Sequence, residues 1–104
     1  KIIKENGQII ALIKPQFEAG KEKVGKNGVV RDPEVHESVL YTVLQAAENS
    51  GFSIIGLDFS PIRGPEGNIE FLLWLKKTMP SEKNSVDWFS KVPLLVQQAQ
   101  LETE

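Results

Sequence analysis

The sequence contains no cysteine, one methionine and one histidine, His36. The missing thiols exclude disulfide bridges, thiolate metal sites and cysteine nucleophiles, and one imidazole cannot build a histidine-rich metal centre. We therefore expect no bound metal. A chain without cysteine suits a reducing compartment, so we expect a cytoplasmic protein.

Long apolar runs and an excess of one charge are also missing. No stretch approaches the roughly 18–20 apolar residues of a membrane-spanning helix, and the opening residues lack the layout of a secretory signal. The 104 residues carry 12 Lys and Arg against 14 Asp and Glu. These features exclude a membrane segment and a disordered tail, and they predict one small domain or part of one. The polar opening at Lys1 ends in Asn6-Gly7, a pair typical of a helix end or a turn, so we expect a fragment.

The first half of the chain predicts a strand, a loop and a helix. Residues 8–14 form a short apolar run with three isoleucines after Gly7, which is typical of a buried strand. Residues 15–31 contain three glycines and little periodicity, so we expect a long loop. Asp32, followed by proline, predicts the start of a helix over about 33–49, where apolar residues recur at helical spacing.

The second half predicts two more strands and an amphipathic C-terminal segment. Residues 52–59 alternate apolar and small or polar side chains, whereas 69–75 are apolar at every position but one. The second pattern predicts a central strand that is covered on both faces. Over residues 88–99 the apolar spacing is helical, and we expect Pro93 to break this segment into a short piece and a final helix.

The order of these elements predicts an α/β fold. A strand-helix-strand unit makes the first two strands parallel through a right-handed crossover. The connection to the third strand is too short for a crossover, so that strand should run antiparallel. We expect it to be inserted between the other two, with the C-terminal helix packed against the sheet.

Two residues distant in sequence should meet at one edge of this sheet. Ligands of α/β sheets bind beyond the carboxyl ends of parallel strands, where Lys14 ends the first strand and Glu70 begins the third. A carboxylate within an apolar strand is costly unless it is paired, so Lys14 and Glu70 are candidates for one functional pocket. The alternatives are an ion pair that only joins two strands, or a Glu70 that frays into solvent.

The loop after Lys14 is basic in an otherwise acidic chain. Residues 14–31 hold five cationic and two acidic side chains, which can attract a phosphate backbone, although on charge statistics alone ordinary surface lysines in a solvated glycine-rich loop explain the pattern better. We expect His36 to be a surface or capping residue and Trp74 to belong to the core. Trp88 and Phe89 should anchor the C-terminal helix.

Four segments together resemble the C-terminal half of the haemolysin-A (TlyA) family of FtsJ-like ribosomal RNA ribose 2′-O-methyltransferases. They are residues 11–20 (ALIKPQFEAG), 28–32 (GVVRD), 59–62 (FSPI) and 64–71 (GPEGNIEF). The similarity runs in order from about residue 8 to 77. It implies the last three strands of a Rossmann-like methyltransferase sheet, with a methyltransferase part at residues 1–79 and a helical tail at 80–104.

The resemblance also implies an active site that this chain only partly contains. Such enzymes use S-adenosylmethionine and a Lys-Asp-Lys-Glu tetrad, of which the second lysine would be Lys14 and the glutamate Glu70. The other two residues and the cofactor loop would lie upstream, so the chain alone should be inactive. Ribosomal RNA would be the partner. The residues expected to contact RNA are Lys21, Lys23, Lys26, Arg31 and Arg63.

Two other functions stay open at this point. The chain could be a non-catalytic RNA-binding or interaction module, because it has a basic loop and no cofactor loop. A membrane-active haemolysin is disfavoured by the lack of a spanning or strongly amphipathic basic helix. If the chain is a fragment, its first strand should also present an open edge through which a homodimer can form.

Overall fold

The computed structural model describes residues 2–5, 8–20, 28–64, 67–77 and 87–103. The elements in chain order are β1 (Ile2–Glu5), β2 (Gln8–Ile13), α1 (Pro15–Glu18), α2 (Pro33–Asn49), β3 (Phe52–Phe59), β4 (Phe71–Lys77) and α3 (Trp88–Glu102). The α/β class that the sequence predicts is confirmed, because two long helices accompany a single sheet.

The four strands are ordered β1-β2-β4-β3, and every neighbouring pair is antiparallel. Because β2 and β3 both run opposite to β4, they are parallel to each other, as predicted. The inserted position of β4 is also confirmed. Its first residue, Phe71, pairs with Ile13 of β2 on one side and with Phe59 of β3 on the other.

β1 is a strand that the sequence did not predict. It pairs with β2 from Ile2 opposite Ala11 to Glu5 opposite Gln8. Four residues are too few to show a periodic pattern, so only the pairing reveals this strand. The prediction of an open edge at the first apolar strand is therefore wrong, and the homodimer expected through that edge loses its basis.

Helix α2 has the bounds that the sequence predicts. The side chain of Asp32 accepts a hydrogen bond from the backbone N–H of Glu34 at 2.9 Å, and Pro33 occupies the first helical position. At the other end Ser50 caps the helix, and Gly51 follows with φ at +86°. That left-handed conformation suits glycine and turns the chain into β3.

Helix α3 is continuous, so the predicted break at Pro93 is wrong. Pro93 lies in the second turn, where it removes only the hydrogen bond that its own N–H would donate to Phe89. The ring is exposed, whereas Val92 and Val96 are fully or almost fully buried. Their packing offsets the lost hydrogen bond and keeps the helix intact.

Two aromatic residues anchor the start of α3, as the sequence predicts. The indole N–H of Trp88 donates to the carbonyl of Ile54 in β3 at 2.9 Å. Phe89 stacks on Tyr41 of α2, with ring centroids 6.3 Å apart and planes 5° from parallel. One anchor therefore joins α3 to the sheet and the other joins it to α2.

The core lies between one face of the sheet and the two long helices. Alternate residues of β4 point into it, and these are Phe71, Leu73 and Leu75. Helix α2 adds Val39, Leu40 and Leu44, and α3 adds Val92, Val96 and Ala99 to the same cluster. A boundary between residues 79 and 80 remains a prediction, although α3 shares the core of the preceding residues.

The opposite face of the sheet is only half-buried. It carries Leu72 and Trp74 of β4, and the Trp74 ring lies against Gly56 of β3, where an added Cβ would be 3.0 Å from the ring. The expectation that β4 is covered on both faces therefore fails for the described residues. Trp74 accordingly lies outside the helix-facing core. No helix within the described ranges is long and apolar enough to cross a membrane.

His36 is completely buried, so its assignment as a surface or capping residue is wrong. Its Nε2 lies 2.9 Å from the carbonyl of Val30 and its Nδ1 lies 3.1 Å from Nε2 of Gln100. A carbonyl only accepts, so Nε2 carries the proton and Nδ1 accepts from the Gln100 amide. The ring also meets the Phe71 ring edge-on, with centroids 5.8 Å apart.

Burial lowers the pKa of His36 below its ordinary value of 6.5. The Arg63 charge acts in the same direction, whereas the hydrogen bond to Val30 and the Asp32 carboxylate partly oppose the shift. The neutral imidazole is thus the form that the fold accommodates.

This burial predicts a loss of stability in mild acid. As pH falls below about 6.5, the unfolded chain binds a proton that the folded chain excludes, so the free energy of unfolding should decrease. The slope for one proton is at most about 1.4 kcal/mol per pH unit, and the loss levels off once the pH passes the lowered pKa of the folded state. Urea unfolding at several pH values between 7.5 and 5.5 measures this decrease in the free energy of unfolding.

The chain has no other histidine, so His36→Gln provides the control and should flatten this pH dependence. A wild-type free energy of unfolding that stays constant or rises over the same range would contradict the prediction.

Candidate active site

One end of the sheet gathers the polar residues that the sequence singled out. We define the site rim as residues 14–16 after β2, residues 60–64 after β3, residues 67–70 before β4 and residues 28–32 before α2. All four segments converge because parallel strands end where the antiparallel strand begins. The last turn of α3 also reaches this rim.

Lys14 is the first residue of the rim. The predicted loop over residues 15–31 begins instead with the single turn of α1, and the carbonyl of Lys14 accepts hydrogen bonds from the backbone N–H groups of Phe17 and Glu18 at 2.9 and 3.2 Å. Pro15 is buried at the first position of this turn. The Lys14 ammonium lies 5.8 Å from the centroid of the exposed Phe17 ring, a cation–π distance.

Glu70 lies at the same end of the sheet as Lys14. The last β2–β4 pair is Ile13 with Phe71, and Lys14 follows Ile13 where Glu70 precedes Phe71. Opposite residues of an antiparallel pair point to the same face. The structure therefore brings the backbones of the two predicted residues to the same part of the rim, where the Lys14 ammonium lies near Phe17 and Oε2 of Glu70 forms no ion pair with it.

The Glu70 side chain is buried, with 8% of its surface exposed, so it does not fray into solvent. Its Oε2 has no hydrogen-bond partner among the described residues. Oε1 of Gln16 in α1 is likewise buried and unpartnered there. Each buried acceptor without a donor costs about 1–3 kcal/mol, so the rim carries two acceptors suited to an incoming donor.

Gly64 forms the wall behind the Glu70 carboxylate. A Cβ added at Gly64 would overlap Oε2 of Glu70 and lie 2.6 Å from its Cδ. The Gly64 N–H donates to the carbonyl of Asn68 at 2.7 Å, and the Gly64 carbonyl accepts from Gly67 at 3.1 Å. A glycine at this position lets the loop backbone approach the carboxylate closely.

Asn68 joins the rim segments, a role that the sequence analysis missed. It is 2% exposed, its Oδ1 accepts from the N–H of Val30 and its Nδ2 donates to the carbonyl of Gly28, both at 2.9 Å. One buried side chain thus fixes residues 28–30 beside the segment that carries Glu70. An asparagine in a turn-rich stretch resembles any turn residue, so no sequence signal distinguished it.

The residues expected to contact RNA are only partly described. Arg31 is exposed on the rim, and Arg63 is half-buried there, donating from Nε to Oγ1 of Thr103 at 2.8 Å. Lys21, Lys23 and Lys26 lie outside the described residues. Within the described ranges, no group of three or more His, Cys, Asp or Glu side chains could hold a metal ion.

Comparison with known proteins connects this arrangement to a family. The sequence model of the FtsJ-like methyltransferase family matches residues 1–77. The chain is 58% identical over 66 residues to YqxC, a candidate rRNA methyltransferase of Bacillus subtilis. It is 42% identical over 71 residues to the 16S/23S rRNA (cytidine-2′-O)-methyltransferase TlyA of Mycobacterium tuberculosis.

A solved structure extends the match to the C-terminal helix. The structure of a candidate haemolysin from Streptococcus thermophilus covers 98% of this chain with a TM-score of 0.82 and 52% sequence identity. The matches cover only part of each relative. The chain spans 24% of YqxC, 26% of TlyA and 36% of the Streptococcus chain. The Rossmann-like character that the sequence resemblance implied agrees with these matches, and the chain belongs to the FtsJ-like methyltransferase family.

Proposed function

We propose that this chain is the part of an S-adenosylmethionine-dependent ribosomal RNA ribose 2′-O-methyltransferase that holds the ribose being modified. The observation that carries the proposal is the register of β2 and β4, in which Lys14 and the buried Glu70, whose Oε2 lacks a donor among the described residues, both adjoin the Ile13–Phe71 pair. The family match and the relatives named as rRNA methyltransferases support the substrate class.

Lys14 acts on the ribose 2′-hydroxyl in this proposal. Its amine would accept the hydroxyl proton as the oxygen is alkylated, which makes it the catalytic base. Glu70 would be a positioning residue, because a carboxylate beside a lysine favours the charged amine and so orients it rather than activating it. Holding the hydroxyl in line with its methyl donor can contribute up to about 7–11 kcal/mol in favourable reactions.

The methyl donor would be held mainly by residues outside this chain. S-adenosylmethionine supplies an electrophilic methyl group when it is bound. The described rim fits only the acceptor side of the reaction, since it presents a lysine, a carboxylate and two arginines, and the sequence has no glycine-rich loop of the cofactor-binding type. We therefore propose a chain that is inactive alone and active within a longer protein of the cytoplasm.

The RNA would contact the rim through its arginines. Arg31 and Arg63 would bind backbone phosphates, and the contacts predicted for Lys21, Lys23 and Lys26 stay predictions because these residues lie outside the described ranges. Such contacts depend on salt and position the RNA without reading its bases. Ribosomal RNA is the proposed partner because relatives carry that substrate in their names.

Replacing Lys14 tests the catalytic assignment in the full-length protein. Lys14→Met should lower kcat for methyl transfer to rRNA by about 100-fold to 10,000-fold, the usual contribution of a general base, and leave RNA affinity nearly unchanged. Glu70→Gln should lower kcat less, with little effect on KM, and should shift the pH profile of kcat. Radiolabelled methyl transfer and RNA binding are measured on the same samples.

Lys76→Met is the matched control, because this exposed lysine lies toward the opposite end of β4. Wild-type kcat in Lys14→Met would remove the catalytic assignment and favour a non-catalytic RNA-binding module.

Gly64→Ala tests whether activity depends on the position of the Glu70 carboxylate. The new methyl group would occupy the space of Oε2, so Glu70 must move, and kcat should fall to about the level of Glu70→Gln. The double variant with Glu70→Gln should be no slower than Glu70→Gln alone, because both changes act on one carboxylate. The free energy of unfolding checks that the fold survives, and additive losses of kcat would contradict this explanation.

A further inference from the structure

The last turn of α3 contacts both arginines that the rim offers to RNA. Oγ1 of Thr103 accepts a hydrogen bond from Nε of Arg63 at 2.8 Å. One turn earlier, Nε2 of Gln100 lies 3.5 Å from the carbonyl of Arg31, at the limit of a hydrogen bond. These contacts span 40 and 69 residues of sequence, so they join distant segments at one place.

The Thr103 hydroxyl is fixed before it meets Arg63. Thr103 is 8% exposed, and its Oγ1 donates its proton to the carbonyl of Ala99 at 2.6 Å. The hydroxyl therefore faces Arg63 with a lone pair and can act there only as an acceptor. A buried acceptor with a set direction holds a long, flexible side chain in one orientation.

The planar geometry of the Arg63 guanidinium determines which of its N–H donors can still bind a phosphate. Arg63 has five N–H donors in one plane, and the contact with Thr103 uses the donor on Nε. The two terminal nitrogens form the opposite edge of that plane, which matches the spacing of two phosphate oxygens. Arg63 directly precedes Gly64, which packs against the Glu70 carboxylate, so the backbone of Arg63 belongs to the same rim segment as the wall of the candidate active site.

His36, Arg31 and the Asp32 carboxylate share this corner of the rim with Arg63. The positive charge of Arg63 contributes to the lowered pKa of His36, so the two side chains are close enough to interact. His36 is neutral in the fold and adds no competing charge. Arg31 is exposed, and the residue directly before it, Val30, is held by His36 and Asn68.

We propose that Thr103 is a positioning residue that orients the Arg63 guanidinium toward a backbone phosphate of the RNA substrate. The inference rests on the proposed function for the identity of the ligand, and it adds α3 to the RNA-binding machinery. Thr103 itself touches no RNA. Thr103 acts on RNA binding only through Arg63. It aligns the guanidinium before the phosphate binds, which reduces the conformational entropy that the Arg63 side chain loses on binding.

Thr103→Val in the full-length protein tests the proposal, because valine keeps the shape and removes the acceptor. Binding of a fluorescent rRNA fragment, measured without cofactor at several salt concentrations, should weaken several-fold. The slope of log K against log salt should fall by about 0.7–0.9, the value expected for one lost phosphate contact. Thr103→Ser keeps the hydroxyl and should restore both quantities.

Thr42→Val is the matched control. Thr42 of α2 also donates its hydroxyl to the carbonyl four residues earlier, Ser38, at 2.9 Å, but it has an exposed position without an arginine contact in the structure. It should leave the affinity and salt slope at wild-type values. A loss in Thr42→Val equal to that in Thr103→Val would assign the effect to helix stability and overturn the proposal.

Combining changes shows whether Thr103 acts through Arg63. Arg63→Gln should weaken RNA binding at least as much as Thr103→Val, and adding Thr103→Val to Arg63→Gln should cause no further loss. If Thr103→Val prevents folding, Arg63→Lys decides instead, because lysine keeps the charge but lacks the planar edge, so it should keep the salt slope and still bind more weakly than the wild type.

Two outcomes would overturn the assignment of Thr103, namely wild-type affinity in Thr103→Val or Arg63→Lys, or losses that add fully with Arg63→Gln. Methyl transfer is assayed separately in the same samples. If the wild-type protein binds rRNA normally but transfers no methyl group, only the proposed function is overturned. The role of Thr103 in RNA binding is then still decided by the binding measurements.

Discussion

The antiparallel pairing of β4 between β2 and β3 is the constraint on which the site depends. Parallel strands finish at one end of a sheet, and an inserted antiparallel strand starts at that same end. The pairing of Phe71 with both Ile13 and Phe59 sets this geometry. It brings Lys14 and Glu70 to one rim, although 55 intervening residues separate them in the chain.

Burial of polar groups distinguishes the rim from the rest of the fold. Asn68 and His36 are buried with their hydrogen-bonding atoms engaged, and they hold residues 28–30 in place. Glu70 and Gln16 are buried with one acceptor each that lacks a donor among the described residues. Satisfied groups make the rim rigid, whereas the unsatisfied ones are stable there only because the surrounding packing holds them.

Helix α3 belongs to this arrangement although the family sequence model ends at residue 77. Its inner face completes the core through Val92, Val96 and Ala99, and its last turn contacts α2 and the loop after β3. The Streptococcus structure matches nearly the whole chain, helix included. Packing and a few end contacts thus fix a helix that lies beyond the span of the family model.

The sequence by itself determined the α/β class, the bounds of α2, the three main strands with β4 in the centre, and the candidates Lys14 and Glu70. Those features follow from local signals, namely apolar periodicity, the Asp32-Pro33 start and a carboxylate in an apolar run. Only the tertiary structure decided the rest. β1 is visible through its pairing, α3 survives Pro93 because its core contacts hold it, and the roles of His36, Asn68 and Thr103 depend on partners 6 to 64 residues away. Local patterns carry no information about such partners, since hydrogen bonds between distant segments exist only once the core has brought those segments together.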